Sequence, residues 1–575
     1  MLKVTDLGIK FRTANGWFDA VKDISFEILP GKTVGIVGES GSGKSVTALS
    51  IMRLLDTKQT EITGDIVFDN INITHTAEKN MQRLRGNRIA MIFQEPMTSL
   101  NPVLTCGKQI TEAIRLHRNL SKHEARTEAL KLFEEVQLPR PAQLLNSYPH
   151  QLSGGQRQRV MIAIALSCNP DLLIADEPTT ALDVTVQKTI IDLLLKLKTE
   201  REMSLLFISH DLGVVSQIAD HVLVMYKGSI VEQANAKEIF TNPQHPYTKG
   251  LLACRPSADQ HLKFLPVISD FLHVQPNGQL TSTSLTLAQV NQRFTYPQLE
   301  AEQHKQLLYS HKPLLKVNNL CTWFPVKNTW LSASKNYIKA VNNISFQVYP
   351  GETLGLVGES GSGKTTLGRS LLRLIEPTSG SIIYKGTDLL NLNANGLRQM
   401  RRKIQIIFQD PYSSLNPQQT IGQLLMEPMQ VHQLHENDAK RKEKVLELLQ
   451  RVNLLPEHFN RYPHEFSGGQ RQRVVIARAL ALEPEFIICD ESVSALDVSV
   501  QAQVLNLLRQ LQQELGLTYI FISHDLSVIK HISDRIMVIN QGQIEEIAPS
   551  EELFKHPKTA YTQKLIASIP KITIN

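Results

Sequence analysis

An eight-residue glycine-rich loop occurs twice in this chain, and this repetition constrains the fold more than any other feature. GESGSGKS runs from Gly38 to Ser45, and GESGSGKT runs from Gly358 to Thr365. Each copy follows an apolar run and precedes a helix-compatible run, the context in which G-x-x-x-x-G-K-[ST] cradles phosphate oxygens with backbone N–H groups. Two copies in one context make a chance glycine turn negligible, so the chain is predicted to bind phosphate at two loops.

Every position of these two phosphate loops is predicted to contribute to binding. The positions are Gly38, Glu39, Ser40, Gly41, Ser42, Gly43, Lys44 and Ser45 in the first loop, and Gly358, Glu359, Ser360, Gly361, Ser362, Gly363, Lys364 and Thr365 in the second. The lysines are expected to reach the β- and γ-phosphates of a nucleotide, and the hydroxyls of Ser45 and Thr365 are expected to ligate Mg²⁺.

The rest of the sequence repeats in the same order. AVKDISFEILPGKTVGIVGES from Ala20 matches AVNNISFQVYPGETLGLVGES from Ala340, and later motifs recur at nearly the same separation. A period this long means that the repeat unit is a whole domain. We therefore predict a first domain at 1–253, a linker that acts as a tether at 254–312, and a second domain at 313–575.

Composition narrows the class of protein. Apolar residues make up 42% and charged residues 20% of the chain, as in ordinary globular proteins, and the apolar runs fall far short of a membrane-spanning helix. The net charge of +6 does not by itself support nucleic-acid binding. The five cysteines include no C-x-x-C pair and the N-terminus lacks a secretory pattern, so we expect a cytosolic protein without structural zinc or disulfides.

Periodicity predicts an α/β fold for each half. Short β-branched runs at 65–68, 172–175 and 205–208 predict a largely parallel core sheet. After Gln94 the pattern becomes helical, and Ser121 with Glu124 forms a capping box before an amphipathic stretch. A helical subdomain is therefore predicted to interrupt each domain, at about 95–160 in the first half and about 410–475 in the second.

Five further features recur in both halves in one order: a glutamine, the sequence SGGQ, an apolar strand ending in Asp-Glu, an ALD segment and a lone histidine after FIS. With these motifs the sequence resembles the ATP-binding subunits of ABC transporters over nearly the whole chain outside the linker. The resemblance implies two P-loop NTPase domains of the ABC type, each with a RecA-like sheet core, that use ATP and Mg²⁺.

The resemblance also implies a role for each matching residue. Residues expected to hold Mg²⁺ are Ser45, Gln94 and Asp176 in the first half, and Thr365, Gln409 and Asp490 in the second. Residues expected to act in hydrolysis are Glu177 and Glu491, which polarise the attacking water, His210 and His524, which contact the γ-phosphate, and the two glutamines, which sense it. Phe11 and Phe324 are expected to stack on adenine.

In the family the two domains pack head to tail, and each SGGQ segment closes the nucleotide site of the other half. The segments, called here the signatures, are Ser153, Gly154, Gly155 and Gln156, which would complete the second site, and Ser467, Gly468, Gly469 and Gln470, which would complete the first. Both halves keep every catalytic residue, so both sites are expected to hydrolyse ATP.

Two narrower signals indicate the transporter branch. SLNP follows each glutamine, and HPYTKGLL from His245 has a counterpart in HPKTAYTQKLI from His556. Both resemble importers of oligopeptides, dipeptides and nickel, including fused members for glutathione or short peptides. This implies two transmembrane permease subunits and an extracytoplasmic solute-binding protein as partners, no nucleic acid, and a peripheral location at the cytoplasmic face of the membrane.

The SLNP segments are predicted to line exposed grooves that receive cytoplasmic helices of the permeases, over 97–102 with Leu100 and over 412–417 with Leu415. Two alternatives stay open at this point: a soluble tandem ABC ATPase that acts on ribosomes or DNA, and the ATPase of an exporter. The linker has few charges and the chain has no zinc module, which disfavours the first alternative.

Overall fold

The computed structural model of the chain describes residues 1–13, 16–94, 99–179, 182–256, 262–274, 280–282, 287–325 and 337–570. The chain divides into two compact units, called here the first and the second unit. The first contains Met1–Leu252 with Ile268–Ser284, and the second contains Ala253–Val267 with Leu285–Ile569. The segment between the repeated halves is thus shared between the two units.

The first unit contains an antiparallel sheet and a mostly parallel sheet. Its strands are β1 Leu2–Thr13, β2 Gly16–Ile28, β3 Thr33–Val37, β4 Thr60–Phe68, β5 Ile71–Asn72, β6 Ile89–Ile92, β7 Leu172–Asp176, β8 Ser204–Ile208, β9 His221–Tyr226, β10 Ser229–Asn235, β11 Leu272–Val274 and β12 Leu280–Ser282. The antiparallel sheet has the order β2-β1-β4-β5, the core sheet has the order β10-β9-β3-β8-β7-β6, and β11 pairs with β12. Only β10 runs antiparallel within the core sheet.

The second unit repeats this architecture. Its strands are β13 Leu315–Pro325, β14 Tyr337–Val348, β15 Thr353–Val357, β16 Ser379–Tyr384, β17 Thr387–Asp388, β18 Ile404–Ile407, β19 Phe486–Asp490, β20 Thr518–Ile522, β21 Arg535–Asn540 and β22 Gln543–Pro549. The antiparallel sheet has the order β14-β13-β16-β17, and the core sheet has the order β18-β19-β20-β15-β21-β22. The central strands β3 and β15 are buried along their whole length, as expected when helices cover both faces of a parallel sheet.

Helices surround both core sheets. Those of the first unit are Lys44–Ile51, Glu78–Leu84, Cys106–Arg118, Lys122–Glu135, Pro141–Leu144, Gly154–Ala165, Val184–Glu200, Leu212–Ile218, Ala236–Thr241 and Pro246–Ala253, with 3-10 turns at Pro149–Gln151 and Ile268–Asp270. Those of the second are Leu287–Phe294, Gln298–Ser310, Lys364–Leu371, Ala394–Lys403, Pro411–Ser414, Ile421–Val431, Asp438–Arg451, Gly468–Leu480, Val498–Leu515, Leu526–Ile532, Ser550–Lys555 and Ala560–Ala567, with 3-10 turns at Leu389–Asn391, Pro456–Asn460 and Pro463–Glu465. None of the helices among the described residues is long and apolar enough to cross a membrane.

Several elements match the sequence predictions, and one does not. The capping box of Ser121 and Glu124 is present at the start of Lys122–Glu135, and the apolar face that follows it is buried. The run at 65–68, however, does not belong to the parallel core sheet, so that prediction is wrong. It lies in β4, which pairs antiparallel with β1. Short β-branched runs specify a strand but not the direction of its neighbours, because pairing is decided by distant segments.

Candidate active site

Each phosphate loop begins where the central strand of a core sheet ends. β3 ends at Val37 and β15 at Val357, directly before Gly38 and Gly358. A Cβ atom on Gly38 would lie 2.2 Å from the carbonyl oxygen of Met225, and one on Gly358 would lie 2.1 Å from that of Ile539. No side chain fits at either position, so glycine is required for the backbone to turn off the strand.

The lysine of each loop is buried inside its own loop. Lys44 Nζ donates hydrogen bonds of 2.8 Å to the carbonyl oxygens of Gly38 and Glu39. Lys364 Nζ makes the same contacts with Gly358 and Glu359, at 2.8 and 2.9 Å. Both ammonium groups are therefore held in place by backbone carbonyls at the start of the loop.

A hydroxyl and a carboxylate meet beside each loop. Ser45 Oγ donates to Asp176 at 3.1 Å, and Thr365 Oγ1 donates to Asp490 at 3.1 Å. Burial raises the pKa of Asp176 to about 6, although the hydrogen bond from Ser45 acts in the opposite direction. Burial likewise raises the pKa of Asp490. Because burial destabilises the ionised form of each carboxylate, a cation beside it would be favourable. Carboxylate and hydroxyl oxygens are also ligands that suit Mg²⁺.

A second feature of the loops fits a phosphate-bearing ligand. The hydroxyls of Ser42 and Ser362 are buried and have no hydrogen-bond partner among the residues that the structure describes. Buried hydroxyls are normally satisfied, and each of these two lies within a glycine-rich loop at the start of a helix. A phosphate oxygen seated in the loop would supply the partner.

Three strand ends bring a glutamine, a glutamate and a histidine together in the first unit. Gln94 Nε2 donates to Glu177 Oε2 at 3.0 Å, and His210 Nδ1 lies 3.2 Å from the same oxygen. Gln94 follows β6, Glu177 follows β7 and His210 follows β8, and these strands are parallel neighbours. Parallel strands place their carboxyl ends at one edge of the sheet, which is why residues far apart in sequence converge there.

The second unit repeats this arrangement. Gln409 Nε2 donates to Glu491 Oε2 at 2.7 Å, and His524 Nδ1 lies 3.4 Å from that oxygen. Burial acts against both charges, but the contact between them outweighs it, so the pKa of Glu491 is lowered and that of His524 is raised. Glu491 is therefore an ionised carboxylate, as a group that polarises water must be.

Glu177 and Glu491 both adopt a left-handed backbone conformation that the motifs do not reveal. The φ angle is 46° at Glu177 and 50° at Glu491. Each is held there by its own N–H group, which donates at 2.9 Å to Ile208 and Ile522 respectively. A non-glycine residue in this region costs of order 1–3 kcal/mol, and such strain is concentrated at functional sites because it fixes the direction of a side chain.

The signatures open two long helices. Ser153 Oγ accepts from the N–H group of Gln156, whose side chain accepts in turn from Ser153 N, and Ser467 and Gln470 form the same capping box. Both serines are exposed, so each helix N-terminus is accessible. The second glycines pack tightly: a Cβ on Gly155 would lie 2.8 Å from Val186, and one on Gly469 would lie 2.2 Å from Val500.

Of two further sequence predictions, one is wrong and the other stays a prediction. Leu100 and Leu415 are each only 3% exposed, so the prediction that they line an exposed groove is wrong. Each leucine packs into the interior although its neighbours are polar, because a single apolar side chain in a short segment is enough to anchor it. Residues 97 and 98 lie outside the described residues. Phe11 is half-buried and Phe324 is 38% exposed, and their contact with adenine stays a prediction.

A pair of tyrosines that no sequence motif indicated also lies at the site. Tyr247 Oη accepts a hydrogen bond of 3.2 Å from the N–H group of Glu39, and Tyr561 Oη accepts one of 3.0 Å from Glu359. The available signal was the dipeptide Tyr-Thr, which recurs 314 residues apart, the same separation as the signatures. The His-Pro dipeptides at His245 and His556, by contrast, do not align when the two halves are offset by 314 residues.

Phosphate loop, hydroxyl–carboxylate pair and glutamine–glutamate–histidine cluster together define a P-loop ATPase domain, and the chain contains two. Family models agree. The model described as ABC transporter matches residues 21–180 and 341–494, and the model described as Oligopeptide/dipeptide transporter, C-terminal region, matches residues 231–271 and 546–575. The chain belongs to the ABC transporter family, in which it is an ATPase of the oligopeptide/dipeptide transporter type.

Individual relatives extend over nearly the whole chain. The Glutathione import ATP-binding protein GsiA of Salmonella paratyphi A is 48% identical over 576 residues, which cover 99% of this chain and 89% of the relative. The protein of the same name from Escherichia coli (strain K12) is 48% identical over 583 residues, with the same coverage. Among solved structures, the dimeric ATP-binding cassette MJ0796 bound to ADP and Pi is 29% identical, with a TM-score of 0.38, over 41% of this chain and 99% of that chain.

Proposed function

We propose that this protein hydrolyses ATP to power the import of short peptides or glutathione-like solutes. Its partners are two transmembrane permease subunits and an extracytoplasmic solute-binding protein, and it works at the cytoplasmic face of the membrane. The observation that carries the proposal is the completeness of both sites: each unit brings its lysine, hydroxyl–carboxylate pair, glutamine, glutamate and histidine together with the same contacts. The relatives named for glutathione import and the C-terminal region in both halves support the solute class.

Within each site the residues divide the work. In the first unit, Lys44 and the loop N–H groups bind the phosphates, and Ser45 with Asp176 holds Mg²⁺ with help from Gln94. Bound Mg²⁺ would neutralise charge on the phosphate oxygens. Glu177 accepts a hydrogen bond from Gln94, is fixed by its backbone and orients the attacking water, while His210 contacts the same carboxylate oxygen.

The corresponding residues of the second unit take the same roles. Thr365 with Asp490 holds the metal, Gln409 reports on the γ-phosphate, and His524 keeps Glu491 ionised. The raised pKa of Asp490 and of Asp176 fits this proposal, because a cation at each carboxylate would stabilise the ionised form.

We further propose that each site is completed by the signature of the other half. The exposed helix N-termini at Ser153 and Ser467 support this, since each offers backbone N–H groups and a hydroxyl to an anion. In this arrangement Ser467 acts at the site of Lys44, and Ser153 acts at the site of Lys364.

Pairs of substitutions test this assignment. Lys44→Ala and Ser467→Arg should each disable the first site, so the double variant should retain the turnover of either single variant. Lys44→Ala combined with Ser153→Arg should disable both sites and lower turnover by a further factor of at least about 10², because these substitutions act on different sites. ATP turnover of the purified full chain with and without its permeases measures both pairs. The reverse pattern of additivity would refute the head-to-tail arrangement.

The permease contact requires a new assignment, since Leu100 and Leu415 are buried. In the second unit the exposed residues of the same segment include Tyr412, which is 63% exposed, and its ring lies 3.6 Å from the guanidinium of Arg471. Arg471 follows the signature serine by four positions on the helix Gly468–Leu480. We propose that the exposed face of Tyr412, rather than the leucine, receives a permease helix, because the contact of Tyr412 with the buried Arg471 joins the glutamine segment to the signature helix.

A further inference from the structure

In each half, a tyrosine hydroxyl of the C-terminal region contacts the phosphate loop. The contact joins Tyr247 to Glu39 across 208 residues and Tyr561 to Glu359 across 202 residues. Both tyrosines lie within the stretches matched by the oligopeptide/dipeptide transporter C-terminal model, and neither stretch overlaps the ABC transporter model. The region that distinguishes this branch therefore reaches the nucleotide site itself.

The structure fixes the tyrosines firmly. Tyr247 is the second residue of the helix Pro246–Ala253. The carboxylate of Glu232 on β10 accepts hydrogen bonds from the N–H groups of Gln244 at 2.7 Å and His245 at 3.0 Å. Two carboxylate–amide bonds just before the helix hold its start against the edge strand of the core sheet.

The second unit repeats this arrangement with a glutamate at the corresponding position. The carboxylate of Glu546 on β22 accepts from the N–H groups of Lys558 at 3.1 Å and Thr559 at 3.3 Å. The helix Ala560–Ala567 then begins and carries Tyr561. Since the arrangement is present twice, it is a built feature of this domain and not an accident of one half.

The contacted residue is a junction within the loop. The carbonyl oxygen of Glu39 accepts from Lys44 Nζ at 2.8 Å and from the N–H group of Ser42 at 3.1 Å. In the second unit the carbonyl oxygen of Glu359 accepts from Lys364 Nζ at 2.9 Å. In the first unit, a tyrosine hydroxyl that binds the N–H group of Glu39 therefore also restrains Lys44 and Ser42, which are bonded to the carbonyl oxygen of the same residue. Both side chains belong to the loop that is expected to bind phosphate.

We propose that Tyr247 and Tyr561 are positioning residues that preorganise the two phosphate loops and thereby set ATP affinity. The inference rests on the ATPase function given above. A loop already held in its binding conformation loses less conformational freedom when the nucleotide binds, so removal of the restraint weakens binding and leaves the chemical step intact.

The two halves differ in how strongly they need the hydroxyl. Tyr247 is fully buried, its ring packs 4.3 Å from that of Tyr226, and the helix that carries it packs against Ile268 and Phe271 at Gly250. Tyr561 is half-buried, so water can replace its hydroxyl. Loss of the hydroxyl should therefore matter more in the first unit.

Tyrosine-to-phenylalanine variants of the full chain test the proposal. Binding of a fluorescent ATP analogue is measured for Tyr247→Phe in a Lys364→Ala background, which isolates the first loop, and for Tyr561→Phe in a Lys44→Ala background. We expect Kd to rise about five- to tenfold for Tyr247→Phe and about two- to threefold for Tyr561→Phe, the range that corresponds to one neutral hydrogen bond.

Steady-state kinetics and stability separate positioning from a purely structural role. In the otherwise unaltered chain, KM for ATP should rise while kcat stays within about twofold, and Tm without nucleotide should stay within a few degrees. Tyr226→Phe removes a hydroxyl from the neighbouring ring and should leave Kd unchanged. Unchanged Kd in both tyrosine variants, or a lower Tm without nucleotide at unchanged Kd, would overturn the inference. An unaltered chain that hydrolyses no ATP would instead refute the proposed function.

Discussion

Replacement of the glutamate after each core strand by glutamine is the most direct test of the catalytic assignment. In the first unit Glu177→Gln keeps the size of the side chain and an oxygen that can still accept from Gln94. The strained backbone at this position and its hydrogen bond to Ile208 also stay. What the variant loses is the negative charge, and with it the ability to polarise water and to attract His210.

The expected loss of rate follows from that single change. A positioned general base contributes about 10²- to 10⁴-fold, which corresponds to about 2.7–5.4 kcal/mol of activation free energy at 1.36 kcal/mol per tenfold change. ATP binding should remain, because Lys44 and Lys364 are held by backbone carbonyl oxygens of their own loops, and the substitutions leave these hydrogen bonds in place. Hydrolysis at the altered site should therefore fall by at least about 10²-fold while ATP stays bound.

The assay measures single-turnover hydrolysis and retained nucleotide for Glu177→Gln, Glu491→Gln and the double variant. The double variant should keep ATP bound and unhydrolysed. Glu202→Gln and Glu483→Gln are matched controls, since both glutamates also have a left-handed backbone, at φ 52°, but lie away from the carboxyl ends of the core strands. Turnover of the unaltered protein in the double variant would refute the assignment of Glu177 and Glu491 as the groups that polarise water.

Two further predictions concern the helical subdomain and the segment between the halves. Leu415→Asp should destabilise the second unit by about 3 kcal/mol or more, since it buries a carboxylate in place of a side chain that is 3% exposed. Tyr412→Ala, by contrast, should leave Tm within about 2 °C and reduce only permease-stimulated turnover. Equal effects of both substitutions on Tm would contradict the assignment of the permease contact to Tyr412. A chain cut at 277 and produced as two fragments should keep ATPase activity, because the fragments can reassociate: the side-chain amide of Asn506 forms two 2.8 Å hydrogen bonds with the backbone of Leu265. Asn506→Leu should therefore weaken the fragment complex about tenfold. In the uncut chain the same substitution should leave turnover unchanged, because covalent linkage keeps the local concentration of the segment in the millimolar range; inactive fragments in a proven complex would show that the linker does more than join.

Much of the site was accessible from the sequence, because its parts are local. A glycine-rich loop between a strand and a helix, a strand that ends in Asp-Glu and a serine that caps a helix are each specified by residues within one or two turns of chain. The family resemblance placed Gln94, Glu177 and His210 in one site, and the structure brings the three side chains together because parallel strands deliver their carboxyl ends to one edge. The internal duplication supported each of these predictions with a second example.

Other features depend on contacts between distant segments, and only the tertiary structure decided them. The burial of Leu100 and Leu415 arises from packing that no local polarity pattern encodes, and the antiparallel pairing of β4 depends on β1. The left-handed conformation of Glu177 is imposed by a bond to a neighbouring strand. The hydrogen bond from Glu39 to Tyr247 joins residues 208 positions apart, and its donor is a backbone N–H group, which residue type does not distinguish. Local chemistry is written in residue types, whereas the partner of a backbone group is chosen by the fold.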